Sequence, residues 1–205
     1  EIKRSEFIGH IKRVSTVEEA RAYIESVRKT YHDARHVCSA FIIGADRDIQ
    51  RSSDDGEPAG TAGVPMMQAL LARQTREDGT TDLSDVVAVV VRYFGGIKLG
   101  AGGLVRAYTD SVVQTLDGAL FDSRERLRVG QVPSSHADAG RLENEIRAAG
   151  LNVLGTEYGA EGATISLGVF DRPEELARAE ELVVSLSSGA ASVTWGDTQW
   201  VDLPV

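Results

Sequence analysis

The segment from Val86 to Tyr108 constrains this chain more than any other. It opens with Val86-Val87-Ala88-Val89-Val90-Val91, an apolar run without alternation, which predicts a strand over 86–93 buried on both faces and central in its sheet. This is the longest apolar run in the chain and falls far short of the roughly 18–20 residues that a bilayer crossing requires. No membrane segment is expected. Immediately after it comes Arg92-Tyr93-Phe94-Gly95-Gly96-Ile97-Lys98-Leu99-Gly100-Ala101-Gly102-Gly103-Leu104-Val105-Arg106, in which five of the ten residues from Phe94 to Gly103 are glycine. Glycine at that density, between a buried strand and a helix expected over 103–117, points to backbone with positive φ or to close approach by a ligand. The backbone N–H groups of Gly95, Gly96, Gly100, Gly102 and Gly103 are then candidates to cradle an anion, with Arg92, Lys98 and Arg106 supplying charge. The plainer alternative is a tight turn and nothing more. The P-loop pattern is absent, and a dinucleotide fingerprint begun at Gly100 fails because Val105 stands where a small residue belongs.

The remaining periodicities surround that segment. A strand is predicted over 7–14, then a helix over 16–33 opened by a capping box of Thr16 and Glu19, with Val17, Ala20, Ile24, Val27 and Tyr31 forming one apolar stripe. A strand over 37–44 follows, and then residues 45–63 lose all pattern, a long loop of the kind that usually works. Pro65 opens a helix over 66–76. Beyond Arg124 the order changes: strand 127–132, helix 135–149 capped by Ser135 and stopped by Gly150, strands 151–158 and 163–170, a helix from Pro173, and strand 193–201. That is βαββαβ, the ferredoxin-like arrangement. The expected organisation is α+β in two domains, 1–123 and 124–205.

Charge limits the partners. Lys and Arg number 22 against 31 Asp and Glu, a net of −9, opposite to the basic footprint of most nucleic-acid binders. Contact with a polyanion therefore has to be local. Residues 126–205 hold 6 Lys and Arg against 12 Asp and Glu, which makes the second domain the poorer surface for RNA. Its strand 163–170 has one aromatic residue and no base, unlike an RRM strand, so the domain reads as a binding or regulatory module, with Trp195 and Trp200 expected to pack the core or a protein partner. A single cysteine, Cys38, forms no internal disulfide, and the N-terminus shows no secretory pattern; both fit a cytoplasmic protein.

Two further groups of residues carry chemistry. In Arg51-Ser52-Ser53-Asp54-Asp55-Gly56-Glu57-Pro58-Ala59-Gly60-Thr61-Ala62-Gly63, three carboxylates fall within four residues. Asp54, Asp55 and Glu57 are candidates to hold a hard cation such as magnesium, to act as acid and base, or simply to cap the next helix. The EF-hand spacing is excluded, and metal ligation is the weaker of these readings. In His32-Asp33-Ala34-Arg35-His36-Val37-Cys38, strand alternation puts His36 and Cys38 on one face; Cys38 reads as a small hydrophobe, whereas His36 needs a polar partner beside the acidic loop.

The two long motifs, 52–63 and 92–108, together with Ser5-Glu6-Phe7-Ile8 and Asp33-Ala34-Arg35-His36, resemble the IMPACT/YigZ family over roughly residues 3–120, with Arg35 replacing the usual Thr. The resemblance implies a first domain like the second domain of a small-subunit ribosomal protein and like elongation factor G domain IV, and a C-terminal domain like elongation factor G domain V. It implies the two-domain bacterial type, without the RWD domain through which eukaryotic members restrain a starvation-sensing kinase. The leading expectation is a non-enzymatic, translation-associated regulatory protein that touches ribosome or RNA phosphate. The alternatives are an enzyme acting on a phosphorylated small molecule or nucleotide, and a protein-binding module.

Overall fold

Strand β4 (Val86–Tyr93) runs through the middle of the first sheet, whose order is β1-β4-β2-β3, with β1 spanning Glu6–Arg13, β2 His36–Ile43 and β3 Ile49–Ser53. Every pairing is antiparallel. The computed structural model describes residues 1–203, and the chain divides into two units, Glu1–Leu120 and Phe121–Val205.

Alternation along the two central strands explains why both faces of the first sheet are apolar. Cys38, Ala40 and Ile42 of β2 and Val86, Ala88 and Val90 of β4 pack with helix α2 (Gly63–Leu71) and helix α3 (Ala101–Asp117) through Met66, Leu70, Leu104, Tyr108, Val112 and Leu116. The intervening residues, Val37, Phe41 and Ile43 with Val87, Val89 and Val91, pack on the other face under Ala20 and Val27 of helix α1 (Val17–Thr30). The uninterrupted valines were legible as two-sided burial, here in an antiparallel sheet covered by helices on both faces.

The capping box forms with a one-residue offset: Thr16 Oγ1 accepts from the Glu19 N–H at 3.1 Å, while the Glu19 carboxylate reaches back to the Ser15 N–H at 2.7 Å. Three expectations need correction. The patternless stretch 45–63 contains β3, whose five residues are all exposed. An outer strand without a buried face has no alternation to read. Helix α2 begins at Gly63 and ends at Leu71, so Pro65 lies within its first turn, where a missing N–H costs nothing. Helix α3 begins at Ala101, two residues before the expected 103, and closes at Gly118 with φ −92°.

The second unit carries β5 (Ser123–Ser134), α4 (Ala139–Ala148), β6 (Asn152–Tyr158), β7 (Ala163–Phe170), α5 (Pro173–Leu186) and β8 (Thr194–Leu203). Its antiparallel sheet has the order β6-β7-β5-β8, which fits the βαββαβ expectation. Leu142 and Ile146 of α4 and Ala179 and Val183 of α5 close its core over Val132, Val153, Ile165 and Leu167. Helix α4 starts four residues later than the pattern suggested. Ser135 caps a preceding turn, accepting the Asp138 N–H at 3.1 Å, and the helix follows it. Among the described residues, no helix is long and apolar enough to cross a membrane.

Candidate functional site

The strand register assembles the site at one end of the first sheet. Phe7, Arg92 and His36 are cross-strand partners on β1, β4 and β2, so the three stand in a row on the face covered by α2 and α3. Arg92 has the parity of Val90 and Ala88 and therefore points into the molecule. It meets Glu57, whose Oε1 accepts from Arg92 Nη1 at 2.6 Å; the two side chains are only 6% and 3% exposed. The same Oε1 accepts the Tyr108 hydroxyl at 2.9 Å. Arg92 Nη2 donates to Ser5 Oγ at 3.4 Å, and the guanidinium lies 5.4 Å from the Phe7 ring and 5.5 Å from the Phe94 ring. Its Nε, buried without a hydrogen-bond partner, has those rings for company.

His36 and Cys38 complete the cluster. His36 Nδ1 stands 2.9 Å from the Asp55 carbonyl, which can only accept, so Nδ1 carries the proton and Nε2 faces Glu57 at 4.0 Å. The Cys38 thiol lies 3.0 Å from the Asp54 carbonyl and 3.3 Å from the Tyr108 hydroxyl. Burial, with help from the nearby carboxylates, pushes it up to about 12, so it stays a protonated thiol and not a nucleophile. Burial likewise raises Tyr108, with the neighbouring Cys38 adding to the effect. Tyr108 therefore remains a hydrogen-bond donor to Glu57.

The three carboxylates of the acidic loop part company. Asp54 accepts the N–H groups of Gly60, Ala62 and Gly63 at 2.8, 3.0 and 2.8 Å, and so caps α2, whose own N-cap Ala62 has no side chain to do it. Burial pushes its carboxyl up, but these three N–H groups outweigh it and hold it below the usual aspartate value. Asp55 takes the Val37 N–H at 2.7 Å and Arg28 Nη1 at 3.0 Å, with Glu57 left to Arg92 and Tyr108. Among the described residues, no group of three or more His, Cys, Asp or Glu side chains is placed to hold a metal ion. The acids work as ties within the protein.

The structure thus brings His36, Asp54, Asp55, Glu57 and Arg92 together, but as a closed network and not as an open anion pocket. Arg92 in particular is spoken for by Glu57. Lys98 and Arg106 are exposed on the connection to α3 and on α3 itself. The glycines behave as their density suggested. A Cβ on Gly95 would stand 1.9 Å from the Arg4 carbonyl oxygen, and the Gly95 N–H donates to Ser5 Oγ at 3.3 Å. Gly96 and Gly100 take φ of 85° and 77°, and Gly102 and Gly103 lie in the first turn of α3. Sequence reasoning missed Ser5, Arg28 and Tyr108 as members. Tyr108 has a readable signal, four residues from Leu104 on the buried stripe yet carrying a hydroxyl; Ser5 lies in one of the motifs that carry the resemblance, and Arg28 has no signal.

A strand-end network of this kind, tied to a glycine connection and an acidic loop, is what the two motifs encode, and comparison with known proteins identifies the group. The Impact N-terminal domain matches residues 3–116, and a domain of unknown function (DUF1949) matches residues 135–190. The chain belongs to the IMPACT family. IMPACT family member YvyE of Bacillus subtilis (strain 168) is 36% identical over 204 residues, covering 100% of this chain and 89% of that protein. IMPACT family member YigZ of Escherichia coli (strain K12) is 49% identical over 118 residues, covering 57% of this chain and 54% of that protein. A crystal structure of a hypothetical protein superposes with a TM-score of 0.62 at 33% identity, covering 94% of this chain and 89% of that one.

Proposed function

We propose that this is a translation-associated regulatory protein whose N-terminal domain meets RNA phosphate, on the ribosome or elsewhere, through the glycine connection with Lys98 and Arg106. Family membership supports the regulatory role. The folds that the family resemblance implies, a first domain like a ribosomal-protein domain and elongation factor G domain IV and a second like elongation factor G domain V, support it by analogy. One observation carries the contact. In a chain of net charge −9, no carboxylate occurs from Val86 through Thr109. Within that span Lys98 and Arg106 are exposed, and α3 opens at Gly100 with no side-chain cap and no acid in its first turn. Partial positive charge at that helix start adds to the two side chains. Arg92 serves from beneath, fixing the strand end from which the connection leaves.

The test is the salt dependence of binding. Affinity for ribosomes or RNA should fall steeply as salt rises, because each phosphate contact releases condensed counterions. Lys98→Glu with Arg106→Glu should weaken binding and flatten that slope. Binding that is indifferent to salt and to both substitutions refutes the contact.

A further inference from the structure

Contact with phosphate leaves the apolar side chains of the same connection without a purpose. Phe94 is 41% exposed and Ile97 43% on the connection, and Val105 is 37% exposed early in α3; Ile97 and Val105 adjoin Lys98 and Arg106 in the chain. A surface that only neutralises phosphates has no need of three exposed hydrophobic groups, one of them an aromatic ring. That ring is also held still. The Arg92 guanidinium lies 5.5 Å from the Phe94 ring centre, and Arg92 is itself locked by Glu57 at 2.6 Å and by the Phe7 ring at 5.4 Å. The next residue, Gly95, is pinned to Ser5 and leaves no room for a side chain against the Arg4 backbone. An immobilised, exposed ring loses little entropy when a flat group stacks on it.

Resting on the phosphate reading above, we infer that this surface takes an unpaired stretch of RNA, a base stacking on Phe94 while Lys98 and Arg106 meet nearby phosphates. The bases of a duplex are already stacked and its grooves offer phosphate and sugar, so a duplex uses the cations but not the ring. A single strand uses both, and aromatic stacking is tolerant of base identity. The absence of any acid from Val86 through Thr109 supplies the charge complementarity that a polyanion needs and that an ordinary apolar protein partner does not.

The experiment uses the full chain and fluorescein-labelled probes of about twelve nucleotides, oligo(U) and oligo(A) single strands and a hairpin duplex of matched charge, followed by anisotropy at low salt. The expected result is tighter binding of the single strands than of the hairpin. Phe94→Leu should weaken single-strand binding about tenfold and leave the hairpin unchanged, and Phe94→Trp should restore it. Phe94 is exposed, and an unchanged melting midpoint certifies folding of each variant. If Phe94→Leu leaves single-strand affinity intact while Lys98→Glu weakens every probe, stacking is wrong and phosphate contact stands. If Lys98→Glu and Arg106→Glu change nothing, the phosphate reading falls as well. Failure of every probe to bind overturns both and leaves the exposed side chains to a protein partner.

Discussion

Arg92 of the first unit and three arginines of the second stand in opposite circumstances. In the first, Arg92 is sealed with Glu57, the pair only 6% and 3% exposed, and shares its partner with Tyr108. In the second, Arg128 grips Asp171 through two nitrogens at 2.6 and 2.8 Å, Arg141 reaches Glu145 at 2.8 Å and Arg147 reaches Glu143 at 2.8 Å, all on exposed surfaces. The geometry of these pairs is equally good. What differs is the cost of losing a partner: a surface charge returns to water, whereas a buried one is stranded.

Removing Glu57 should break the contrast most severely. Glu57→Ala leaves Arg92 buried and unpaired and should cost about 3–5 kcal/mol in urea unfolding of the first unit. The double variant Glu57→Ala with Arg92→Met should cost less than the two single changes added together, because no stranded charge remains. If the two losses add, the pair is not a coupled unit. Asp54→Ala comes next, at about 2 kcal/mol, since it uncaps α2 and frees three loop N–H groups. Asp54 also predicts a pH dependence. Its folded value is held below that of the unfolded chain, so its contribution is complete above the unfolded aspartate value and is lost as pH falls through the lower, folded one. Asp54→Asn should flatten the acid limb of the stability curve; an unchanged limb would assign it to other carboxylates. Gly100→Ala should cost about 1–2 kcal/mol by calorimetry, through a φ of 77° that alanine resists and not through any clash. Arg141→Ala in the second unit should leave the melting midpoint within the scatter of the unaltered protein.

How far the sequence could be read follows from the same contrast. Local signals came through: the capping box at Thr16 and Glu19, the valines of β4, the chain order of the second unit, and the glycines that take positive φ or admit a neighbouring backbone. Each of these depends on residues within a turn or a strand of one another. The site was only half legible. Its members were visible as residue types, and parity along β4 already turns Arg92 inward with Val90. The identity of its partner was not, because Glu57 is 35 residues away and Ser5 is 87. Burial of a charge depends on what closes over it, and no periodicity records that. β3 escaped for a related reason, since all five residues of Ile49–Ser53 are exposed and no apolar face marks the strand.

β4 acts as a party wall between two separately furnished rooms. Val86, Ala88 and Val90 furnish the one under α2 and α3; Val87, Val89 and Val91 furnish the one under α1. A change of side-chain size at an even-numbered position is therefore felt beside Tyr108 and the strand-end network, and one at an odd-numbered position is felt beside Ala20 and Val27. Drift in sequence can remodel the α1 side while the side that holds Glu57 and Arg92 keeps its fittings.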